Sequence, residues 1–233
     1  MEKERIAELD ILRGILVIGM ILVHLGYDLR QFAGIDLQLP FWAQAVGDHG
    51  HLAFILLSGI CITFSRNPLH RGLQVFVCGL LVSYGTFYGE LVLGLPNIRI
   101  FWGILHLLGF SMIVYSALRK AGYQALLILG ILMIWMGSIL SHRDFPFPYL
   151  FPLGIRMEGF YPGSDYFPAF PFLGWFLLGS AAGKCLYRDQ KPLLPFLTDD
   201  HGLGAAFSWI GRHALPIYLI HQPILLTMIF LFA

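Results

Sequence analysis

Residues 7–27 read AELDILRGILVIGMILVHLGY, and this stretch decides the class of protein. Its length matches the roughly 17 to 25 apolar residues that an α-helix needs to cross a bilayer. The run lacks the small-residue cleavage site of a signal peptide, and it contains Asp10 and Arg13. We therefore expect a retained transmembrane helix.

The composition of the whole chain agrees with a membrane protein. Of the 233 residues, 57% are hydrophobic and 12% are charged, whereas soluble domains contain about 25% charged residues. A formal net charge of +1 provides no basic surface for nucleic acid. The three cysteines lie in or at the end of apolar runs, which does not indicate a disulfide framework. We interpret residues 1–233 as a single integral membrane domain.

Six further apolar runs of membrane-spanning length follow the first. The seven predicted spans cover residues 7–27, 41–64, 72–93, 100–118, 123–140, 167–186 and 214–230. The expected fold class is all-α, a polytopic transmembrane helix bundle of about seven helices. Between Phe145 and Ile155, three prolines predict an interfacial or re-entrant outer loop rather than another span.

The basic residues predict an orientation with the amino terminus inside and the carboxyl terminus outside. In that orientation eleven of the fifteen Lys and Arg residues lie on the cytoplasmic side and four outside, as the positive-inside rule requires. The four outer residues are Arg30, Arg99, Arg143 and Arg156. We expect a multi-pass protein of the inner, cytoplasmic membrane.

The first helix carries ionisable residues on one face, namely Asp10, Arg13, His24 and Asp28. Arg13 and His24 lie about 16 Å apart along the helix axis, and each ionisable group in hydrocarbon costs about 2.5 to 3.5 kcal/mol. Asp10 and Arg13 either neutralise one another or serve a ligand. Asp28, one turn after His24, could orient its imidazole.

Several motifs carry a resemblance to a known family. They are LDILRG at 9–14 with ten residues between Arg13 and His24, HLGYDL at 24–29, FILLSG at 54–59, GILH at 103–106, FPFLG at 170–174 and GRHALPIYLIHQPI at 211–224. The chain resembles the transmembrane acyltransferases that acetylate surface sugars, in particular bacterial relatives of heparan-alpha-glucosaminide N-acetyltransferase. The resemblance implies transfer of an acetyl group from cytoplasmic acetyl-CoA to an amine or hydroxyl acceptor, an amino sugar or another glycan, across the membrane.

Acetyl transfer requires a base, donors for the oxyanion and a site for the CoA phosphates. For this chemistry we predict His24 and Asp28 as catalytic residues, with the imidazole as base or, less favoured, as the carrier of a covalent acetyl group. Arg13, Asp10 and Ser58 are predicted to bind acetyl-CoA. The predicted acceptor pocket and polar rim consist of His49, His51, His106, His221 and Gln222.

Alternative interpretations of these residues remain open. His106 could be a hydrogen-bonded interhelical histidine, and His221 with Gln222 could join helices structurally. Ser58 could form a hydrogen bond to a neighbouring helix instead of contacting acetyl-CoA. Asp48, His49 and His51 could contribute to a zinc site with His24 and Asp28, although acceptor binding is the favoured interpretation and no metal is predicted.

The function of the whole chain also has alternatives. The same bundle could carry a proton, a small acid or a lipid headgroup without covalent chemistry. Since full-length family members have about ten or eleven helices, the chain could instead be a degenerate relative that assembles with other membrane proteins. A homodimer is also predicted.

Overall fold

The computed structural model describes residues 6–35, 41–94, 98–141, 148–155, 159, 163 and 165–232. Within these residues there are eight α-helices and one 3-10 helix. The α-helices are α1 (Ala7–Ala33), α2 (Phe41–Ile62), α3 (Pro68–Leu93), α4 (Ile104–Leu118), α5 (Tyr123–Leu140), α6 (Ala169–Leu186), α7 (Gly202–Arg212) and α8 (Ala214–Phe232). The 3-10 helix is Pro148–Leu153, inside the predicted proline-rich loop.

The structure confirms the all-helical transmembrane class. All seven predicted spans fall on helices, from α1 to α6 and on α8. In the part of the chain that the structure describes, five helices are long and apolar enough to cross a membrane, whereas α2 and α4 contain the shorter apolar segments Gly47–Ile62 and Ile104–Ala117. One helix in the described part of the chain, α7, was not predicted. It is short and amphipathic, and it contains no continuous apolar run of membrane-spanning length.

Large apolar side chains on the outside of several helices fit contact with lipid. In water such extensive exposure of apolar groups would be unfavourable, whereas hydrocarbon accepts them at no cost. Helices α3, α5 and α8 carry most of them, including Leu80, Leu81, Leu91, Ile128, Ile131, Trp135, Ile224, Met228 and Leu231. The orientation of the bundle in the membrane stays a prediction.

The chain divides into two compact units. The first comprises Met1–Phe54 and Tyr187–Ala233, so that the two ends of the sequence fold together. In this unit α1 packs against α7 and α8. The crossing of α1 and α7 is close, because a Cβ atom at Gly211 would overlap the backbone oxygen of Asp10 and one at Gly14 would overlap that of Phe207.

The second unit, Ile55–Leu186, has α4 and α6 at its core. Nine residues of α4 are buried, and α4 packs against α3 and α6. Small residues permit close backbone contacts here. Gly72 and Gly79 face α4, and Gly179 lies against the backbone of Leu56 in α2.

The three cysteines form no disulfide in the part of the chain that the structure describes. Cys61 and Cys78 are partly buried, and Cys185 is exposed near the end of α6. Their positions on helices agree with the interpretation that no disulfide framework supports this fold.

Candidate functional site

The first polar cluster lies near the start of α1, where α7 crosses it. The guanidinium of Arg13 donates to Asp10 Oδ1 at 2.7 Å and to the backbone oxygen of Gly211 at 3.2 Å. The two charged side chains are 16% and 14% exposed. The ion pair confirms that Asp10 and Arg13 neutralise one another, and binding of acetyl-CoA by Arg13 stays a proposal.

The second polar cluster lies further along α1, where α8 packs against it. The rings of His24 and His221 are in contact, with centroids 5.1 Å apart and planes tilted by 60°. His221 is 7% exposed, and its Nδ1 lies 2.5 Å from the backbone oxygen of Tyr218. His24 is only partly buried. Two imidazoles therefore meet between helices that are otherwise mostly apolar.

Asp28 belongs to the same cluster but has a different partner from the predicted one. Its carboxylate is 1% exposed and accepts a hydrogen bond from Gln222 Nε2 at 2.8 Å. Among the described residues no hydrogen bond joins Asp28 to His24, whose ring contacts His221 instead. The sequence predicted an interaction within α1, whereas both side chains use partners on α8.

The polar stripe of α1 is not continuous between the two clusters. Val17 and Ile21 lie on the face of α1 that joins Arg13 to His24. Val17 is 1% exposed, so hydrocarbon is packed at this level. In this unit the predicted stripe therefore forms two polar clusters, about 16 Å apart.

His106 occupies a separate position in the second unit. Its Nδ1 accepts a hydrogen bond from the backbone N–H of Gly103 at 3.2 Å, and Nε2 lies 3.4 Å from the hydroxyl of Ser83. Trp102 stacks on the ring at a centroid distance of 5.3 Å. This environment matches the alternative prediction of a hydrogen-bonded histidine between helices.

The remaining predicted site residues all lie on α2. Ser58 and His51 are partly buried, and His49 is exposed. In the described ranges no three His, Cys, Asp or Glu side chains are grouped so that they could hold a metal ion.

A comparison with protein-family models gives a match over most of the chain. The model described as heparan-alpha-glucosaminide N-acetyltransferase, catalytic, matches residues 5–223. The chain belongs to this family. No curated protein and no solved structure matched the chain significantly. The matched region includes both polar clusters. The match supports the prediction that the chain is a membrane N-acetyltransferase.

In this member of the N-acetyltransferase family, the first helix carries a buried carboxylate that was not among the predicted site residues. Glu8 is fully buried and accepts hydrogen bonds from the hydroxyl of Tyr187 at 2.6 Å and from the backbone N–H groups of Leu193 and Leu194. The sequence contained one indication of these contacts. Glu8 is not one of the ionisable residues on the polar face of α1, so a buried charge at this position requires hydrogen-bond partners of its own.

A second missed carboxylate, Asp165, lies in the loop before α6. It is partly buried and accepts a hydrogen bond from the backbone N–H of Ile104 at 3.3 Å, at the start of α4. Burial raises the pKa of Asp165 to about 6, and the hydrogen bond from Ile104 opposes this rise. Nothing in the sequence near Asp165 indicates this contact, which joins residues 61 positions apart.

Proposed function

We propose that this protein transfers an acetyl group from cytoplasmic acetyl-CoA to an amino sugar or another glycan acceptor on the extracytoplasmic side of the inner membrane. The family match supports acetyl transfer. The observation that carries the proposal is the contact between His24 and His221, because an acyltransferase requires a positioned base where water is scarce.

In the proposed reaction the amine or hydroxyl of the acceptor attacks the thioester carbonyl of acetyl-CoA. A bond forms from the acceptor nitrogen or oxygen to the carbonyl carbon, and the carbon–sulfur bond breaks. An imidazole of the His24–His221 pair accepts the proton of the acceptor and then gives it to the departing thiolate. The products are the acetylated acceptor and CoA, and the imidazole returns to its neutral state.

The cluster around Arg13 is the proposed site for the phosphates of CoA. A guanidinium presents a planar set of N–H donors that suits phosphate, and Asp10 would hold it in place. The separation of about 16 Å between Arg13 and His24 suits an extended pantetheine arm, whose thioester would then lie at the level of the histidines.

Three further groups complete the proposal. Binding of acetyl-CoA by Ser58 stays a prediction. His49 and His51, near the start of the apolar segment of α2, are candidates for contacts with the acceptor. Formation of a homodimer stays a prediction.

The experiment is an acetyl-transfer assay on the protein purified in detergent, with acetyl-CoA and glucosamine or a glycan hydroxyl as acceptor. We expect acetylated acceptor and free CoA in equal amounts, detected by mass spectrometry. Release of CoA without an acetylated product, or flux of a small acid or proton into proteoliposomes in the absence of acetylation, would contradict the proposal.

Binding of the donor is tested separately by thermal unfolding. At a CoA concentration of 100 times Kd we expect a stabilisation of about 2.7 kcal/mol, which Arg13→Met should abolish. Arg119→Met provides the matched control. Arg119 is also a basic residue that is predicted to be cytoplasmic, and its guanidinium donates a hydrogen bond to the backbone oxygen of Arg66. Equal stabilisation of all three proteins by CoA would show that Arg13 does not bind it.

A further inference from the structure

The hydrogen bond of His221 determines which of its ring nitrogens carries the proton. Nδ1 lies 2.5 Å from the backbone oxygen of Tyr218, one turn earlier in α8. A carbonyl oxygen can only accept, so Nδ1 must be the donor. In a neutral imidazole the other nitrogen, Nε2, then has a lone pair and no proton.

This lone pair is buried and unused. Nε2 of His221 has no hydrogen-bond partner among the described residues, and the whole residue is 7% exposed. A buried polar atom left without a partner costs about 1–3 kcal/mol, so the position favours a ligand that brings a hydrogen-bond donor. The acceptor of an acetyl group is such a ligand, since it carries an N–H or O–H.

Two other histidines show why this arrangement is specific. At His106 the backbone N–H of Gly103 donates to Nδ1, which leaves the proton on Nε2 and no lone pair for a substrate. At His213 the ring has the same tautomer as at His221, because Nδ1 lies 2.8 Å from the backbone oxygen of Trp209. His213, however, is exposed at the end of α7. Of these three, His221 alone combines a fixed lone pair with burial.

We infer that Nε2 of His221 is the atom that accepts the proton from the acetyl acceptor, and that His24 is the positioning residue whose ring lies against it. This inference rests on the proposed function and deepens it. As the acceptor attacks the thioester, its proton moves to Nε2, which gives an imidazolium with Nδ1 still bonded to Tyr218. The imidazolium then protonates the thiolate of CoA, and the tautomer is restored.

The variant that tests this role is His221→Asn. The asparagine amide can still donate to the backbone oxygen of Tyr218, but it has no atom equivalent to Nε2. Since a general base contributes about 100- to 10,000-fold, we expect kcat to fall at least about 100-fold while KM for acetyl-CoA and the stabilisation by CoA are unchanged. His213→Asn is the matched control, which removes an imidazole with the same hydrogen bond and should retain full activity.

A second measurement does not depend on activity. In protein labelled with nitrogen-15 at histidine, the resonances absent from His221→Asn identify His221, and we expect its Nε2 to have the chemical shift of an unprotonated nitrogen at neutral pH. A protonated Nε2 would overturn the inference. If the asparagine variant does not fold, His221→Gln supplies the assignment of the wild-type resonances instead.

The two proposals fail in different ways. A wild-type protein that transfers acetyl groups, together with an equally active His221→Asn variant, would refute the role of His221 and leave the proposed function intact. A wild-type protein that acetylates no acceptor would refute the proposed function and the role of His221 with it.

Discussion

Gln222 donates a hydrogen bond through Nε2 to Oδ2 of Asp28 at 2.8 Å, which joins residues 194 positions apart. Each partner is close to one histidine of the ring pair, since Gln222 follows His221 and Asp28 is one turn after His24. The hydrogen bond therefore sets the register of α8 against α1. That register determines which surfaces the two imidazoles present to each other.

We expect the exchange of Gln222 for methionine to destabilise the protein by about 1–3 kcal/mol, because the buried carboxylate of Asp28 loses its recorded donor. The measurement is thermal or denaturant unfolding in detergent. Thr227→Val serves as the control. Thr227 lies on the same helix and is exposed, and its hydroxyl donates a hydrogen bond to the backbone oxygen of Pro223.

The double variant Asp28→Leu, Gln222→Met should be more stable than Gln222→Met alone, because replacing both partners leaves no unpaired polar group. A double variant that shows the sum of two single losses would indicate that the interaction contributes nothing beyond the separate side chains.

The close crossing of α1 and α7 gives a second prediction. Gly211→Ala should cost about 1–3 kcal/mol, the usual penalty of overpacking, because the new Cβ would overlap the backbone oxygen of Asp10. The shift of α7 should also reduce stabilisation by CoA, since Gly211 accepts a hydrogen bond from Arg13. Gly85→Ala in α3 is the control, with no neighbouring heavy atom within 4 Å of the new Cβ. Equal stabilities of the two variants would rule out a tight crossing.

Glu8 provides a third prediction, about the segment after α6. Glu8→Gln replaces one acceptor oxygen by an N–H group, which would face donors from Tyr187, Leu193 and Leu194. We expect faster proteolysis between residues 187 and 201, measured by limited digestion in detergent. Asp200→Asn, at an exposed position in the same segment, should leave the rate unchanged. Identical digestion of both variants would show that Glu8 does not hold this segment.

Asp165 leads to a prediction about pH. Burial raises its pKa from 3.8 to about 6, so the folded protein binds more protons than the unfolded chain between these values. The associated stability is fully present below about pH 4 and is lost as pH rises through about 6. The melting temperature of the wild type should therefore fall more between pH 4 and 7 than that of Asp165→Asn, which keeps an oxygen to accept from Ile104. Parallel pH profiles would contradict this assignment.

The spans were predictable because each depends on a local property of the chain. A run of apolar residues must form its hydrogen bonds internally when it enters lipid, and only a helix does so within one segment. For α5 the prediction and the structure agree at both ends, Tyr123 and Leu140. The short helix α7 lacks such a run, and its position depends on the contact with α1.

The candidate site was predictable only in part. The sequence singled out Asp10, Arg13, His24 and Asp28 because ionisable groups are costly on an apolar helix. It included the pairing of Asp10 with Arg13 as one alternative, but it did not identify the partners of His24 and Asp28 on α8, because spacing within one helix says nothing about the neighbouring helix. Asp28 was predicted to orient His24 because the two residues are four positions apart. In the structure its carboxylate accepts a hydrogen bond from the amide of Gln222.

What the sequence determined by itself is the membrane class, the positions of the spans and the family, because hydropathy and short motifs are properties of consecutive residues. Only the tertiary structure brought the first and last helices together and buried the ring of His221, whose Nδ1 donates to the oxygen of Tyr218. The free nitrogen of that ring depends on the direction of one hydrogen bond in the folded chain. That direction depends on a side-chain rotamer, which hydropathy and motif spacing do not indicate.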